Sequence, residues 1–462
     1  MIAALALVEG GVLFTTLWTT TVAMQRAPRN ADDVARLLVQ ASSVTALCLL
    51  AFYYNDVYDI RTSPGCARLS WHLVPAAATL FVLVGAAYTM VPALVPSPRV
   101  CFTSLVILAG LMLPFRAAVY AWMRTERFMQ RLLIVGGGPL CDRLMEAIAA
   151  RPDLRCRVVG VATDRPVPNL PQHRVLGRLE RLARIVAETR PHRIVVALGA
   201  GALPMDTLLE CRARGIRVEH GLDVLERLTG KIAIERVPAE WALYACEVRK
   251  SGCARALARA ASLAVAVVGL TLTAPVLALI AIAVRFDSPG PVLFLHDRIG
   301  RHGRPFRLLK FRTMRPATGE TSQWIRDNED RVTRVGRWLR RFRLDELPQF
   351  VNILRGDMNL VGPRPHPVAN YELFRKGIPL YALRTAVRPG VTGWAQVRYG
   401  YANDLAEETE KMRYDLYYIR RQSFWFDCHI VLETVKTVLF GRPDAAAESS
   451  AALDSLPVQR AS

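Results

Sequence analysis

The chain of 462 residues lacks most of what marks a metal or redox protein. Its nine cysteines form no C-x-x-C, the two nearest being Cys246 and Cys253. Its eight histidines include no pair at H-x-x-x-H spacing, so the common zinc patterns are excluded. None of the thirteen tyrosines has a lysine four residues on, which removes the Tyr-x-x-x-Lys of short-chain reductases and epimerases. Acidic residues are scarce beside basic ones, 40 Asp+Glu against 60 Lys+Arg, for a net charge of +20. That balance favours anionic partners: phosphates, acidic lipid or nucleic acid. No nucleic-acid motif is present and the basic residues sit beside apolar surfaces, so nucleic acid is not expected.

What the chain has in quantity is apolar sequence, 52% of residues with a mean hydropathy of +0.20. Four long apolar runs open it, roughly Ile2–Met24, Leu37–Tyr54, Trp71–Leu94 and Val100–Met123. Each is near the ~20 residues that cross a bilayer as a helix. The first has no basic n-region and is followed by three like it, which argues against a signal peptide. Arg124, Arg127 and Arg131 favour a cytoplasmic exit after the fourth run, while Arg26, Arg29 and Arg36 point the other way. A fifth run, Ala260–Val284, carries no charge, has basic flanks at Arg255, Arg259 and Arg285, and holds Pro275 near its middle. Proline removes a backbone donor and kinks a helix. A helix that enters one leaflet, bends and returns satisfies both facts; a straight span is the alternative.

Between them the pattern changes. "RLLIVGGGPLCDRLMEAI" reads as strand, Gly turn and helix; Arg193–Gly201 and Gly215–Gly221 read as further strands. Strands alternating with helices predict a parallel α/β sheet of Rossmann-like type. Gly136 and Gly138 fit a dinucleotide fingerprint, but its third glycine position is Cys141. A structural or regulatory nucleotide-binding-like domain without redox chemistry is the expectation.

After the fifth run, Gly300 and Gly303 punctuate two short apolar stretches, which predicts a hairpin with Lys310 and Arg312 at its far end. Val332, Val335, Trp338, Leu339 and Phe342 then follow at helical spacing, with Arg331, Arg334, Arg337 and Arg341 on other faces. Such a helix lies in a headgroup region or packs on a core with its basic face in water. "RLDELPQFVNILRGDMNLVGPRP" (Arg343–Pro365) sets Asp345 and Glu346 among Arg340, Arg341, Arg343 and Arg364. Pro348 is tolerated in a first helical turn, so a helix is expected from about Asp345 or Glu346 to Gly356. Its N-terminus would suit an anion. Adjacent helical residues point about 100° apart, so the two carboxylates are expected to have different jobs. Arginines can hold a diphosphate, and a carboxylate beside them can bind Mg²⁺ or attack phosphorus. Two readings stand on these residues alone: phosphoryl transfer at a membrane surface, or a helix cap with ordinary ion pairs.

"KFRTM" (Lys310–Met314), "LDELPQFVNILRGDMNLVGPRP" (Leu344–Pro365), "RPGVTGWAQV" (Arg388–Val397) and "YDLYYI" (Tyr414–Ile419) occur in this order. Together they resemble the bacterial sugar transferase family, the polyprenyl-phosphate glycosyl-1-phosphate transferases, in its long exopolysaccharide-initiating branch. The resemblance covers roughly Arg255–Arg442. It implies transfer of a sugar-1-phosphate from a nucleotide sugar, a UDP-sugar, to polyprenyl (undecaprenyl) phosphate, with Mg²⁺ as cofactor. It implies Asp345 as the nucleophile of a phosphosugar-enzyme intermediate and Glu346 as its catalytic partner, both near the metal. Lys310, Arg312, Arg340, Arg364 and Arg388 are expected to bind phosphate or substrate, and Pro275 to kink a re-entrant helix at about 256–284. A nucleotide-sugar diphosphatase using the same site and a non-enzymatic membrane scaffold are the alternatives. The expected architecture is an α-helical bundle of four transmembrane helices (1–124), a Rossmann-like α/β domain (125–245), a mixed α/β catalytic domain (246–442) and a disordered tail (443–462). The expected location is the bacterial inner membrane with the catalytic domain on the cytoplasmic face; a homo-oligomer is left open.

Overall fold

The structure is a computed structural model that describes residues 2–24, 28, 30–55, 66–123, 129–151, 156–164, 175–197, 204–232, 234, 252–315, 331–400, 402 and 404–440. The expected tail at 443–462, the domain boundary near 245, and Arg26, Arg29, Arg124 and Arg127 lie outside these. The chain divides into two compact units, one ending at Leu228 and the other starting at Thr229.

The first unit opens with four helices, α1 (Ile2–Met24), α2 (Ala31–Tyr54), α3 (Cys66–Met90) and α4 (Pro98–Met123). They coincide with the four apolar runs. Asn30 caps α2 by accepting a hydrogen bond from the Asp33 N–H at 2.9 Å. Leu13, Leu17, Val44, Cys48, Leu80 and Leu108 form their shared core. Leu7, Phe81, Met90 and Phe102 point outward and stay exposed. An apolar outer face on helices this apolar suits lipid rather than water. Among the described residues, Leu7–Met24, Ala31–Tyr54 and Arg255–Asp287 are long and apolar enough to cross a membrane; Ala76–Met90 and Pro92–Leu108 are shorter apolar helices.

The same unit holds a five-stranded parallel sheet, ordered β3-β2-β1-β4-β5. The strands are β1 (Gln130–Val135), β2 (Cys156–Ala162), β3 (Val175–Gly177), β4 (Arg193–Val196) and β5 (Arg217–His220). Leu133 and Val135 pack with Leu182 and Leu208 of α6 (Leu182–Thr189) and α7 (Met205–Ala213) on one face. Leu132 and Ile134 pack with Leu144 and Val224 of α5 (Pro139–Ala149) and α8 (Gly221–Thr229) on the other. A parallel strand buried on both faces reads as an unbroken apolar run, as β1 does. Cys141, the departure from the fingerprint, is fully buried against this second face. Burial pushes its thiol up to about 11, so it packs and does not react.

The second unit is built on α9 (Gly252–Asp287), one continuous 36-residue helix that contains Pro275. One side of α9 carries the domain: Ala266 packs with Leu308, Ile353 and Met358, and Ile280 and Val284 pack with Phe311 and Leu339. Leu272, Leu279 and Phe286 on other faces are exposed. The predicted hairpin is present as β6 (Leu293–Ile299) and β7 (Pro305–Phe311), with Lys310 opposite Phe294. Then come α10 (Arg334–Arg341), α11 (Gln349–Arg355), β8 (Asn359–Val361), α12 (Val368–Gly377), β9 (Gly390–Thr392), α13 (Trp394–Arg398), α14 (Leu405–Arg421) and α15 (Phe424–Phe440). Strands β8 and β9 pair in parallel. The largest core joins Val361, Phe374, Tyr381, Trp394, Leu416, Tyr418 and Ile430. Ile232 and Ile234 belong to this core, and the Trp394 indole N–H donates to the Gly230 carbonyl at 2.8 Å. These residues fall in the stretch expected to belong to the α/β sheet domain, and they pack in the core of the second unit instead.

Candidate active site

The helix expected from Asp345 or Glu346 begins later. Arg343 takes a left-handed conformation (φ 53°), Leu344–Glu346 form a 3₁₀ turn, and α11 starts at Gln349. Pro348 accounts for this. It has no N–H to bond back into the preceding turn. The chain there uses i→i−3 bonds instead, from Glu346 N to Arg343 O at 3.2 Å and from Leu347 N to Leu344 O at 3.3 Å. Asp345 therefore stands in a tight turn and not at an α-helix N-terminus. Gly356 (φ 93°) ends α11 as foreseen.

Asn352 brings this turn to the hairpin. It is fully buried, accepts from the Leu309 N–H at 3.0 Å, and donates to the Arg307 carbonyl at 2.8 Å. With α11 pinned to β7, Lys310 Nζ meets Glu346 Oε1 at 3.2 Å. Arg364 Nη2 donates to the same oxygen at 2.6 Å, and Arg343 Nη1 lies 3.7 Å from Oε2. Burial alone raises the Glu346 carboxyl, but the charges of Arg364 and Lys310, the hydrogen bond from Arg364 and the charge of Arg343 hold it well below the usual carboxylate range. Glu346 is thus the fixed anion that gathers the cations.

Asp345 is its opposite. It is buried, at 7% exposure, yet no described residue gives it a hydrogen bond or an ion pair within contact distance. Its carboxyl is raised, first by burial and then by the neighbouring Glu346, against the pull of Lys310, Arg364 and Arg340. The result is an unspent carboxylate within the field of three cations. Arg340 is held by Thr313, its Nε donating to Oγ1 at 3.0 Å. Gly336 permits that approach, because a Cβ there would lie 2.2 Å from the Thr313 carbonyl oxygen.

The residues expected to bind phosphate therefore separate. Lys310, Arg340 and Arg364 converge on the Asp345–Glu346 pair. Arg312 does not. Strand β7 ends at Phe311, and the buried Arg312 turns to α9, donating to the carbonyls of Val284 (3.3 Å), Ser288 (2.5 Å) and Pro291 (2.5 Å). It is a cap on the end of that helix. Arg388 is half-buried with Arg259 as its charged neighbour. Arg259 in turn donates to the carbonyls of Met358 and Ile353 at the other end of α11.

Two arginines of this unit escaped the sequence reading. Arg298 shares the face of β6 that holds His296, and its Nη1 donates to the Pro365 carbonyl at 3.0 Å. Burial, then the charge of Arg364, lowers it to about 9. The His296 ring beside it is lowered to about 4, by burial and then by Arg298 and Lys310, so it stays neutral. Arg384 is buried in an ion pair with Asp415 at 2.8 Å. Period-two spacing from Lys310's strand partner was the available signal for Arg298; Arg384 had none.

A Mg²⁺ ion commonly binds one or two carboxylates plus substrate phosphate oxygens. The unpartnered Asp345 fits that donor set. Glu346 fits it poorly, since its oxygens already hold Lys310, Arg364 and Arg343.

Residues 253–441 match the family described as bacterial sugar transferase, and residues 53–204 match one described as a CoA-binding domain. The chain is 37% identical over 326 residues to the UDP-glucose:undecaprenyl-phosphate glucose-1-phosphate transferase of Escherichia coli (strain K12), covering 68% of this chain and 69% of that protein. It is 39% identical over 235 residues to the UDP-N-acetylgalactosamine-undecaprenyl-phosphate N-acetylgalactosaminephosphotransferase of Aeromonas hydrophila, covering 51% of this chain and 55% of that protein. It is 33% identical over 347 residues to the undecaprenyl-phosphate glucose phosphotransferase of Komagataeibacter xylinus, covering 69% and 60%. The chain thus spans between about half and two thirds of the length of these relatives.

Proposed function

The chain belongs to the bacterial sugar transferase family, and from that premise we propose that it moves a sugar-1-phosphate from a UDP-sugar to undecaprenyl phosphate through a covalent phosphosugar on Asp345. The observation that carries this is the contrast within the turn: Glu346 binds the cations, and Asp345 is left buried beside them with no partner among the described residues. A carboxylate oxygen of Asp345 attacks the sugar-linked phosphorus. The bond from that phosphorus to the bridging oxygen breaks, and UMP leaves. A phosphate oxygen of undecaprenyl phosphate then attacks the same phosphorus and releases Asp345 as a carboxylate. The product is an undecaprenyl-diphosphate sugar.

Carboxylate and phosphate repel, so the field around them decides the rate. Arg364 and Lys310, held by Glu346, and Arg340, held by Thr313, supply fixed positive charge where the diphosphate gains charge in the transition state. Asp345 is the residue that would hold Mg²⁺, which would neutralise diphosphate charge when bound. Arg298 adds a further buried cation behind Arg364.

The exposed apolar side of α9 and its basic flanks support a helix embedded in the inner membrane; Pro275 is where a re-entrant course would bend, although α9 runs on through it as one helix. Exposed Trp338 on α10 and Phe342 just after its end, beside exposed Arg337 and Arg341, support contact with anionic headgroups. Relatives are named for glucose and for N-acetylgalactosamine, so the sugar is to be found by assay. The test is product analysis of the purified protein in detergent with a panel of UDP-sugars and undecaprenyl phosphate. One donor giving a lipid-linked sugar diphosphate and UMP supports the reading. Release of sugar-1-phosphate into solution without lipid product would make the protein a diphosphatase instead.

A further inference from the structure

Strand β6 brings more apolar surface into the open than a hairpin in water would. Leu293, Phe294 and Leu295 are 40%, 50% and 53% exposed in succession. Val292, just before them, packs in the core that holds Ile280 and Val284 of α9. Phe286, at the end of α9, is exposed as well. The exposed apolar side of α9 thus continues onto the start of β6. Three consecutive exposed apolar residues suit lipid rather than water.

The same strand leads inward to the catalytic turn. Phe294, His296 and Arg298 alternate onto one face, and Phe294 stands opposite Lys310. The Phe294 and His296 rings stack, 5.7 Å apart and 21° from parallel. Nδ1 of His296 and Nε of Arg298 are buried with no hydrogen-bond partner among the described residues. Buried nitrogens left open in this way are costly unless a ligand satisfies them. Arg298 spends Nη1 on the Pro365 carbonyl, and Asp297 is exposed on the opposite face of the strand. The charges of Arg298 and Lys310 act on His296, and that of Lys310 acts on Asp345. The two open nitrogens therefore border the cations of the turn, and an oxyanion is the group that would satisfy both.

We propose that His296 and Arg298 hold the phosphate of the polyprenyl acceptor, with the start of its isoprenoid chain lying over Phe294. The proposal rests on the transferase reading and gives its second substrate a place. The neutral imidazole donates through Nδ1–H and the guanidinium through Nε–H. Lys310 lies between this place and the turn, bonded to Glu346 at 3.2 Å. An acceptor phosphate here is thus one side chain from the phosphorus that Asp345 carries after the first step. The nucleoside of the donor is the less suitable occupant. The approach along Leu293, Phe294 and Leu295 is apolar and offers no side-chain polar group to a base or ribose.

The experiment uses the full-length protein in detergent and reads the two half-reactions separately. UMP released with UDP-sugar alone reports the donor step. Lipid product at increasing undecaprenyl phosphate reports the acceptor step. His296→Phe keeps the ring on Phe294 and removes the nitrogens. Loss of a charge-assisted bond predicts a KM for undecaprenyl phosphate higher by about tenfold or more. The UMP burst and the donor KM should stay. His296→Asn returns an N–H close to the Nδ1 position and should recover most of the loss, which a packing role would not allow. Arg298→Lys keeps the charge without the Nε donor and should raise the acceptor KM as well. In calorimetric titrations, Phe294→Ser should weaken undecaprenyl phosphate and leave inorganic phosphate unchanged. An unchanged acceptor KM in the folded His296→Phe protein overturns the proposal. So does a rise confined to the donor KM, or loss of the burst, which would give these nitrogens to the donor diphosphate. Phosphatidylglycerol that competes as well as undecaprenyl phosphate would make the place a headgroup site and overturn it too. A wild-type protein that makes no lipid product sinks the transferase reading, while titration of undecaprenyl phosphate into wild type and His296→Phe still decides the site.

Discussion

Among the described residues two carboxylates, Glu219 and Glu346, gather three cations each, and they differ in what stands beside them. Glu219 on β5 is paired with Arg193, Arg217 and Arg227. Glu346 is paired with Lys310, Arg343 and Arg364. Both carboxyls are lowered; for each, burial pulls upward and the surrounding cations outweigh it. The clusters differ in shielding and in what stands next to them. Arg217 is 65% exposed, while the three cations of Glu346 are between 17% and 23% exposed. Beside Glu346 is a second, buried carboxylate, Asp345, with no hydrogen-bond or ion-pair partner among the described residues. Arginines around an acid are therefore a common way to settle a charged surface. An acid left over within such a field is not.

The largest expected effect is on Asp345. Asp345→Asn should lower turnover by at least about 10³-fold, as removal of a nucleophile does. The same change should leave the melting temperature in detergent at pH 7 unchanged or higher. The carboxyl is raised in the folded protein, so its ionised form works against folding at neutral pH, and the amide removes that cost. Glu346→Gln should do the reverse to stability. Its carboxyl is lowered on folding, so it stabilises above the ordinary carboxylate range and that gain is lost only as pH falls through the lowered value. Removing it takes their shared carboxylate from Lys310, Arg343 and Arg364, at a cost of about 3–5 kcal/mol measurable by denaturant unfolding. If both variants lose stability alike, the division of labour between the neighbours is wrong.

A smaller effect is expected at the helix cap. Arg312→Gln removes charged donors from the carbonyls of Val284, Ser288 and Pro291 and should cost about 2 kcal/mol. The KM of the donor should stay within about twofold, where a phosphate ligand would lose far more. The smallest effect is at the contrasting cluster. Glu219→Gln leaves Arg217 and Arg227 able to reach water, with Arg193 more shielded, and should cost about 1 kcal/mol, less than Glu346→Gln, with turnover intact. The acid limb of kcat/KM gives a separate reading of the pair. It should lie above the ordinary aspartate value, because Asp345 is raised, and Glu346 should add no limb in the mildly acidic range.

The parts of this picture visible in the sequence are those that are contiguous in it. The apolar runs of α1–α4 and α9 are set by composition, and the Arg343–Pro365 stretch carries Asp345, Glu346 and Arg364 on one short segment. The β6–β7 hairpin follows from its glycines. What was hidden depends on a single backbone donor or on distant pairing. Pro348 tightens the turn and moves Asp345 off the helix end. Lys310 and Arg312 are two residues apart and would share a face if β7 continued, but the strand stops at Phe311 and Arg312 turns to α9. Strands β2 and β3 were not foreseen; β3 is three residues long and shows no periodicity to find. Arg298 and Arg384 meet the Pro363–His366 segment only through tertiary packing, with Arg384 fixed by Asp415 from α14.

The central claim is that Asp345 becomes covalently phosphorylated by the donor before the lipid takes part. Incubating the purified protein with its UDP-sugar alone, and following UMP on the millisecond-to-second scale, tests it most directly. The account predicts a burst of about one UMP per active site, a phosphosugar adduct on the peptide containing Asp345 by mass spectrometry, and loss of both in Asp345→Asn. UMP that appears only after undecaprenyl phosphate is added, with no adduct on that peptide, would contradict it and make the reaction a direct in-line transfer.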